Sequence, residues 1–503
     1  MPKFYLTTAI DYSNGDPHLG HALEKVGADC IARWRRLRGD DVHFLMGMDE
    51  HSLSVIAAAA RAGVTPQAWV DRMSATFADY WKQLHTSPDD WIRTSEPRHA
   101  RAVTTLLQRI RERRPDDLYV AEYEGLYCTG CEEFKQDAQI VDGRCIEHPT
   151  LELVRTKEQN HFFRLTAWRD TLLERIRSGT FPVEPAIRRN EVLRLLESGL
   201  HDVSISRQRQ GWGIPFPGDA GHTVYVWFDA LINYLSATGW PDAGHERLWP
   251  ADLHIIGKGI TRFHCIIWPA MLLAAGVALP RRVWAHGYVQ WEGAKMSKSA
   301  GTAVSLATAI ARHGADALRY FLLREVGFEG DGNFTWQRFD ARYTADLADT
   351  LGNFVSRAIS MVHRYRGGVV PSTDDFVRIG EAELAAYAAA LDAYDLQAGA
   401  DRLIAVASAA NKFVEETTPW KLAKDPGAAA ALDRVLAGLI HAVARLAVMA
   451  YAFVPEKAAA MWRAIGMEKT LDAMRFDDLP RLTVAGRILE KPPILFPKPA
   501  PAD

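Results

Sequence analysis

The chain has 503 residues, of which 48% are hydrophobic and 24% charged. These values are ordinary for a globular protein, and the length predicts two to four domains. The formal net charge of −3 excludes the broadly basic surface that indiscriminate nucleic-acid binding requires. No apolar run is long enough to span a membrane and the N-terminus lacks the pattern of a signal peptide, so a cytoplasmic location is expected.

The first hundred residues alternate short apolar runs with helical patterns, which is typical of βαβ units. In the first helical pattern, apolar residues recur at spacings of three and four and would form a stripe that packs on a sheet. These residues are Leu23, Val26, Cys30, Trp34 and Leu37. The alternation returns between residues 252 and 287. We therefore predict an α/β fold with a Rossmann-like, doubly wound parallel sheet in two separated halves.

Two regions differ from this alternation. Short segments rich in Gly, Pro and Arg predict an insertion between the sheet halves, and an alanine-rich helical pattern after about residue 340 predicts a helix bundle. The expected boundaries are 1–114 and 226–287 for the halves of the α/β domain, 115–225 for the insertion, 288–340 for a loop region, 341–485 for the bundle and 486–503 for an extended, proline-rich tail.

Three of the five cysteines fall in the predicted insertion. "CTGC" contains Cys128 and Cys131, and after thirteen intervening residues "CIEH" contains Cys145 and His148. Two pairs with this spacing are typical of a zinc knuckle, in which three thiolates and one imidazole surround Zn²⁺ tetrahedrally. Because no coordination position stays open, we expect a structural Zn²⁺; unrelated thiols are the alternative.

The segment "YSNGDPHLGH", residues 12–21, lies where the first predicted strand ends and the first helix begins. Its glycines allow close approach of a ligand to the backbone, and a helix N-terminus favours a phosphate group. His18 and His21, three residues apart, would face the same side of the first turn and add hydrogen-bond donors. The pattern indicates nucleotide binding; two N-terminal histidines without a ligand are the alternative.

A second polar segment, "GAKMSKSAG" at residues 293–301, carries Lys295 and Lys298 between glycines. Alone it is consistent with any solvated turn. Together, "PHLGH" after the first strand and "KMSKS" after a late strand resemble the two signatures of class I aminoacyl-tRNA synthetases. The pair is far more specific than either segment, because each lies at a suitable edge of the predicted sheet.

This resemblance implies that the two segments meet around ATP while the carboxylate of an amino acid attacks the α-phosphorus. His18 and His21 would stabilise the pentavalent phosphorus and the leaving pyrophosphate. Lys298 would neutralise phosphate charge and Lys295 would support the loop. Mg²⁺ would accompany ATP, bound mainly through phosphates and water. The residues expected to bind ATP are Asn14, Gly15, His18, Gly20, His21, Gly257, His286 and Lys298.

The segment "TVYVWFDALINYL", residues 223–235, bears on the choice of amino acid. If a helix starts near its tryptophan, one face carries Trp227, Ala230, Leu231 and Tyr234. Such a face suits an unbranched, polarizable side chain, because sulfur packs well against aromatic edges; a stripe that packs in the core is the alternative. "VWFDALINY" is similar to the methionine-pocket segment of methionyl-tRNA synthetases.

The similarity extends to other parts of the methionine pocket in that family. Asp49 of "MDEH" matches the carboxylate that holds the substrate ammonium group. The other pocket residues that the resemblance implies are Ala9, Ile10 and Tyr12, which precede "PHLGH", and Ile260 and His264 of "GITRFH" as the far wall. The positions that depart from the family pattern are Asp11, Ser52 and Gly259, where proline, glycine and aspartate are common.

The resemblance also implies that the bundle binds the CAU anticodon of tRNA(Met). Asn353 and Arg357 lie four residues apart on one helix face and offer hydrogen bonds to base edges, while Trp420 could stack on an unpaired base. Without the resemblance, Trp420 would be a packing residue and Arg357 a solvated charge. Residues 288–340 would contact the tRNA stem. A monomer is expected, because no appended dimerisation domain follows the bundle.

The resemblance, on the segments that carry it, implies the activity of a methionine–tRNA ligase, which would form methionyl-adenylate from L-methionine and ATP and transfer the methionyl group to the 3′ end of tRNA(Met). Three alternatives stay open. The chain could activate another amino acid such as leucine or cysteine, although a catalytic zinc for cysteine would need ligands in the pocket. It could be a small nucleotidyltransferase, which would not need the bundle, or an RNA-binding protein without catalysis, which would not need both histidines and both lysines.

Overall fold

The computed structural model describes residues 2–130, 133–135, 139–146, 149–208, 211–291, 293–295, 304–492 and 494–498. Its strands are β1 (Lys3–Thr8), β2 (Asp11–Tyr12), β3 (Asp41–Asp49), β4 (Asp90–Arg93), β5 (Leu118–Cys128), β6 (Glu133–Lys135), β7 (Ile140–Val141), β8 (Arg144–Cys145), β9 (Val154–Phe163), β10 (Val183–Glu184), β11 (Val203–Ser204), β12 (Ser206–Gln208), β13 (Pro215–Phe216), β14 (Asp219–Val224), β15 (Leu253–Gly257), β16 (Val283–His286), β17 (Val289–Trp291), β18 (Ala294–Lys295) and β19 (Gly332–Phe334).

The α-helices of the described residues are α1 (Leu19–Arg38), α2 (Leu53–Arg61), α3 (Pro66–Gln83), α4 (Pro97–Arg113), α5 (Arg169–Ser178), α6 (Ala186–Glu197), α7 (Val226–Ala230), α8 (Asn233–Ser236), α9 (Trp268–Ala275), α10 (Leu306–His313), α11 (Ala315–Phe321), α12 (Trp336–Arg342), α13 (Asn353–Arg366), α14 (Glu383–Asp392), α15 (Leu396–Thr417), α16 (Pro419–Leu422), α17 (Ala429–Ala450) and α18 (Pro455–Ala464). None of them is both long and apolar enough to cross a membrane.

A parallel sheet forms the centre of the fold, with strand order β10-β16-β15-β1-β3 and with β2 and β4 both paired to β3. The chain moves outward from β1 in one direction to β3 and β4, and in the other direction to β15 and β16. The strand order therefore reverses between β1 and β15. In open α/β sheets, ligands bind at the carboxyl ends of the strands beside such a switch point.

Alternate residues of the central strands pack on opposite faces of the sheet. Leu6 and Phe44 lie in a core formed with α1, α3 and the C-terminal helices, whereas Tyr5 and Leu45 lie in a core formed with α4, α9 and part of the insertion. This alternation follows from the two-residue period of a strand. The predicted stripe of α1 is fully or almost fully buried in the first core. The predicted α/β fold with a parallel sheet and C-terminal helices is confirmed.

The stretch predicted as an insertion contains an antiparallel sheet of order β11-β9-β5-β6 and a second one of order β12-β14-β13. It also supplies β10, which pairs with β16 at the edge of the central sheet. Because β10 has only two residues, its pairing cannot be recognised as a periodic pattern in the sequence.

A buried ion pair joins the first helix to the helical region. Arg319 of α11 and Asp29 of α1 are both inaccessible to solvent, with Nη2 and Oδ2 2.8 Å apart. Arg319 also donates hydrogen bonds to the carbonyls of Leu84, Ala452 and Phe453 at 3.0–3.1 Å. The guanidinium therefore satisfies three backbone acceptors, one at the end of α3 and two in the loop between α17 and α18.

Candidate active site

The two histidines of "HLGH" cap the N-terminus of α1. Nδ1 of His18 accepts a hydrogen bond from the Gly20 amide at 3.1 Å, and Nδ1 of His21 accepts one from the His18 amide at 3.2 Å. The rings stack with centroids 3.9 Å apart. Because both Nδ1 atoms accept, the neutral rings carry their proton on Nε2. The cap thus holds two ring N–H donors at the positive end of the helix, which favours an anion.

A residue that follows the second polar segment lies beside these histidines. The main chain of Ser305, which N-caps α10, pairs with the main chain of His18. On the other side of the segment, the main chain of Lys295 pairs with Gln290 in β17. The Lys295 side chain and Lys298 lie outside the described residues. The structure therefore brings the flanks of the two segments together, although they are far apart in the sequence.

The other residues predicted to bind ATP surround the switch point of the sheet. Asn14 and Gly15 lie in the turn between β2 and α1. Gly257 and His286 are paired neighbours at the carboxyl ends of β15 and β16. His286 Nε2 lies 3.2 Å from Oε2 of Glu24, a buried α1 residue that the sequence analysis did not select. Their roles in binding ATP stay predictions.

The ten residues predicted to bind methionine line one cavity. They converge from the carboxyl ends of β1 and β3, from the segment α7–α8, and from the residues that precede α9. The predicted helix at Trp227 is interrupted, because α7 ends at Ala230 and α8 begins at Asn233. Leu231 and Ile232 keep helical torsion angles, so the predicted face is preserved. Geometry thus groups these residues, while their contact with methionine stays a prediction.

The far wall of this cavity is uncharged. His264 Nδ1 donates a hydrogen bond to the Ile260 carbonyl at 3.0 Å, so Nε2 is free of a proton and accepts one from the Tyr234 hydroxyl at 2.7 Å. Burial lowers the pKa of His264 to about 4 and raises the pKa of Tyr234. On the other side, the Trp227 ring stacks on Phe263 with centroids 4.1 Å apart. A neutral, aromatic wall favours an apolar, polarizable side chain.

Asn233 lines the same cavity and was missed by the sequence analysis. Its Nδ2 donates to the Ala230 carbonyl at 2.7 Å, while its buried Oδ1 has no hydrogen-bond partner among the described residues. A buried acceptor without a partner is costly unless a ligand or water satisfies it. The sequence gives only a weak indication that Asn233 belongs to the pocket, because an asparagine in a helical stripe more often forms a hydrogen bond to the local backbone.

The three departures from the family pattern have local structural roles. Asp11 is buried, lies 3.1 Å from the Lys25 ammonium group and accepts a hydrogen bond from Trp81 Nε1. Burial raises the pKa of Asp11 to about 6 even though Lys25 lowers it. Ser52 caps α2 by accepting a hydrogen bond from the Val55 amide.

The absence of a side chain at Gly259 leaves room for the Tyr288 hydroxyl. A Cβ atom at Gly259 would lie 2.2 Å from the Tyr288 hydroxyl, so the hydroxyl occupies the space that a larger side chain would need. Lys258 lies over the Tyr288 ring and pairs with Asp331 at 2.6 Å. An aspartate at this position would require the Tyr288 side chain to move.

The cysteine cluster is described only in part. Cys128 ends β5 and Cys145 ends β8, and both side chains are almost fully buried. Cys131 and His148 lie outside the described residues. The surrounding strands β6, β7 and β8 have two or three residues each. Two buried thiols in so short a framework fit a structural metal, which would link these strands.

The predicted anticodon-binding residues lie at one end of the bundle. Asn353 begins α13 and is exposed, and Arg357 Nη2 pairs with Glu415 Oε1 at 2.6 Å near the end of α15. Trp420 follows on α16 and is 36% exposed. Glu415 could not be predicted from the sequence, because an exposed glutamate carries no motif. Contact of these residues with RNA stays a prediction.

A doubly wound parallel sheet with paired histidines at the first helix, beside a pocket at the switch point, defines the class I aminoacyl-tRNA synthetases. The family model "tRNA synthetases class I (M)" matches residues 4–152 and 150–359, and the model "Anticodon binding domain of methionyl tRNA ligase" matches residues 367–502. The chain belongs to the methionyl-tRNA synthetase family.

Individual relatives agree with this assignment. The methionine–tRNA ligase of Brucella suis is 39% identical over 515 residues, covering 100% of this chain and 99% of the relative. That of Thermotoga maritima is 39% identical over 479 residues, covering 93% and 76%. The structure of Mycobacterium tuberculosis methionyl-tRNA synthetase in complex with methionyl-adenylate has a TM-score of 0.93 at 37% identity, covering 99% of this chain and 100% of that chain.

Proposed function

We propose that this chain activates L-methionine with ATP, forming methionyl-adenylate and pyrophosphate, and then transfers the methionyl group to the 3′ end of tRNA(Met). The observation that carries the proposal is the cavity at the carboxyl ends of β1 and β3. Its neutral wall of Trp227, Tyr234 and His264 suits the methionine thioether. Asp49, buried at the carboxyl end of β3, is proposed to hold the substrate ammonium group.

In this mechanism the methionine carboxylate attacks the α-phosphorus of ATP and the bond to the pyrophosphate oxygen breaks. The reaction needs no protein nucleophile, because orientation and stabilisation of the developing negative charge lower the barrier. His18 and His21 would donate ring N–H bonds to the phosphates at the start of α1. Lys298 would add a cation from the segment that precedes Ser305, whose main chain pairs with His18, and Lys295 would support that segment. Mg²⁺ would enter with ATP.

The remaining parts of the chain receive supporting roles. Residues 115–225 are proposed as the insertion, in which Cys128, Cys131, Cys145 and His148 would hold a structural Zn²⁺. Residues 341–485 are proposed as the anticodon-binding domain, with Asn353, Arg357 and Trp420 facing the CAU anticodon loop. The monomeric state and the cytoplasmic location stay predictions from the sequence.

Amino-acid-dependent exchange of pyrophosphate into ATP, measured with each of the twenty amino acids, tests the proposal. Methionine alone is expected to support exchange. Exchange with leucine or cysteine instead would show that the chain activates that amino acid and not methionine. A chain that supports no exchange with any amino acid would exclude amino-acid activation.

Replacing Tyr234 by phenylalanine tests the methionine pocket. The change leaves His264 Nε2 buried without its donor, which costs about 1–3 kcal/mol. We expect the KM for methionine to rise about 5- to 50-fold, with kcat within about twofold. Tyr387→Phe is the matched control, because it removes a buried hydroxyl that donates to the Met449 carbonyl in the bundle. An equal rise in KM in both variants would argue against a pocket role.

Replacing Trp420 by alanine tests the anticodon-binding role. Loss of stacking on one base is worth about 1–3 kcal/mol, so aminoacylation of tRNA(Met) at subsaturating tRNA should fall about 5- to 100-fold. Methionine-dependent pyrophosphate exchange should not change, because Trp420 lies in the bundle. Val377→Ala, which removes another exposed apolar group of the bundle region, should retain both activities. Reduced exchange in the Trp420 variant would indicate a folding defect.

A further inference from the structure

A group of metal-ligating side chains lies in the insertion and uses none of the predicted zinc-knuckle residues. His161 on β9 and Asp219 and His222 on β14 each place one donor atom within 4.8 Å of the others, and this is the only such group among the described residues. His161 Nε2 and His222 Nδ1 both lie 2.9 Å from Asp219 Oδ2. Imidazole nitrogens from two strands therefore converge on one carboxylate oxygen.

The contacts of His222 place two hydrogen-bond acceptors opposite each other. Its Nε2 lies 2.8 Å from the Gln159 carbonyl, which can only accept a hydrogen bond. Nε2 therefore carries a proton, and in a neutral ring Nδ1 bears a lone pair. This lone pair faces Asp219 Oδ2, another acceptor. A second proton on the ring or a metal ion would remove the repulsion.

Neighbouring groups fix the orientation of the three donor side chains, as the residues around the ligands of a metal site do. Histidine ligands usually donate their other ring N–H to a carbonyl, as His222 does, and carboxylate ligands are usually hydrogen-bonded as well. Asp219 Oδ1 accepts a hydrogen bond from the Gly221 amide at 3.0 Å. The His161 ring stacks on Phe216 with centroids 4.0 Å apart. The side chains of both histidines are only 16–17% exposed, so their orientation is restricted.

We propose that His161, Asp219 and His222 bind a divalent transition-metal ion, with Zn²⁺ as the best match. Two imidazoles and one carboxylate are common zinc ligands, and a water would complete a tetrahedron. Metal–ligand bonds of about 2.0–2.2 Å require N···O separations of roughly 3.3 Å, so the two N···O separations of 2.9 Å would each lengthen by a few tenths of an ångström. The ion would join β9 to β14, the strand that leads through Tyr225 into α7 of the methionine pocket.

The test is metal content and Co²⁺ spectroscopy of the full chain after removal of metal and reloading. With Zn²⁺, we expect two ions per chain in the unchanged protein and one in both His161→Ala and His222→Ala. His201→Ala, which removes an exposed histidine of the same insertion, should keep two. With Co²⁺, the histidine variants should retain the near-ultraviolet thiolate absorption expected of the cysteine knuckle while losing one ion.

Two further measurements separate this site from the knuckle. Cys128→Ser should lose the thiolate absorption but still bind one Co²⁺. If this variant does not fold, the histidine variants alone decide the question, because His161 and His222 lie near the surface and their replacement should not prevent folding. The proposal is overturned if the unchanged protein binds one ion and neither histidine variant alters that number. It is also overturned if loading with Zn²⁺ raises the melting temperature equally with and without His222.

Discussion

Replacing His21 by alanine is expected to lower the rate of methionine-dependent pyrophosphate exchange by about two to three orders of magnitude, with the KM for methionine changed less than about threefold. The reason is that His21 would act on charge that develops only in the transition state, and removal of one such donor costs about 10²–10³ in kcat. Losses of equal size in kcat and in methionine affinity would indicate a binding role.

The capping role of His21 requires its own control. Its Nδ1 accepts the His18 amide hydrogen bond, so alanine also removes a helix cap worth about 1 kcal/mol. Asparagine keeps an acceptor near the position of Nδ1 but lacks the Nε2 donor. We expect His21→Asn to be as inactive as His21→Ala while unfolding at a higher temperature. His363→Ala, a half-buried histidine of the bundle, should keep full exchange activity. Activity restored by asparagine would assign His21 a structural role only.

Replacing Arg319 by methionine is expected to lower the free energy of unfolding by about 3–5 kcal/mol, because it leaves the buried Asp29 carboxylate with only one cationic partner and three carbonyls without their donor. Equilibrium urea unfolding, followed by tryptophan fluorescence, measures this change. Arg155→Met is the matched control, since both side chains of its pair with Glu124 are exposed and this pair should contribute less than about 1 kcal/mol. Similar losses in the two variants would contradict the proposed burial effect.

The same pair predicts a dependence of stability on pH. Burial raises the pKa of Asp29, but the charges of Arg33 and Arg319 outweigh it and lower the pKa to about 2. In the unfolded chain this pKa is about 3.9. The stabilisation is therefore complete above about pH 4 and is lost as the pH falls toward about 2. Removing Arg319 should raise the pKa of Asp29, so the loss of stability between pH 4 and pH 2 should be shallower in Arg319→Met.

Segments whose chemistry is local could be predicted from the sequence. The stripe of α1 repeats every three or four residues, so its buried face was visible without knowledge of its neighbours. His18 and His21 were identified because the turn, the helix start and the histidines are contiguous. The pocket residues were grouped through a resemblance to a family, and the structure places them around one cavity.

Other features depend on residues that are distant in the sequence. Lys25 has a 1% exposed side chain and lies 3.1 Å from Asp11, while donating to the Ala9 carbonyl at the edge of the pocket. In the sequence, Lys25 is an ordinary charge on a helix. In the sequence, Asn233 likewise is an ordinary polar residue of a helix. Only the structure shows that it lines the cavity with a buried Oδ1.

The sequence by itself determined the α/β architecture, the C-terminal helices and the two signature segments, because hydrophobic period and motif spacing are properties of neighbouring residues. Only the tertiary structure decided that β10 joins the central sheet, that Ser305 pairs with His18, and that Arg319 neutralises Asp29. The physical reason is that pairing between distant strands and the burial of a charge depend on which surfaces meet when the chain folds. A pattern of neighbouring residues does not indicate which distant strand or charge will be the partner.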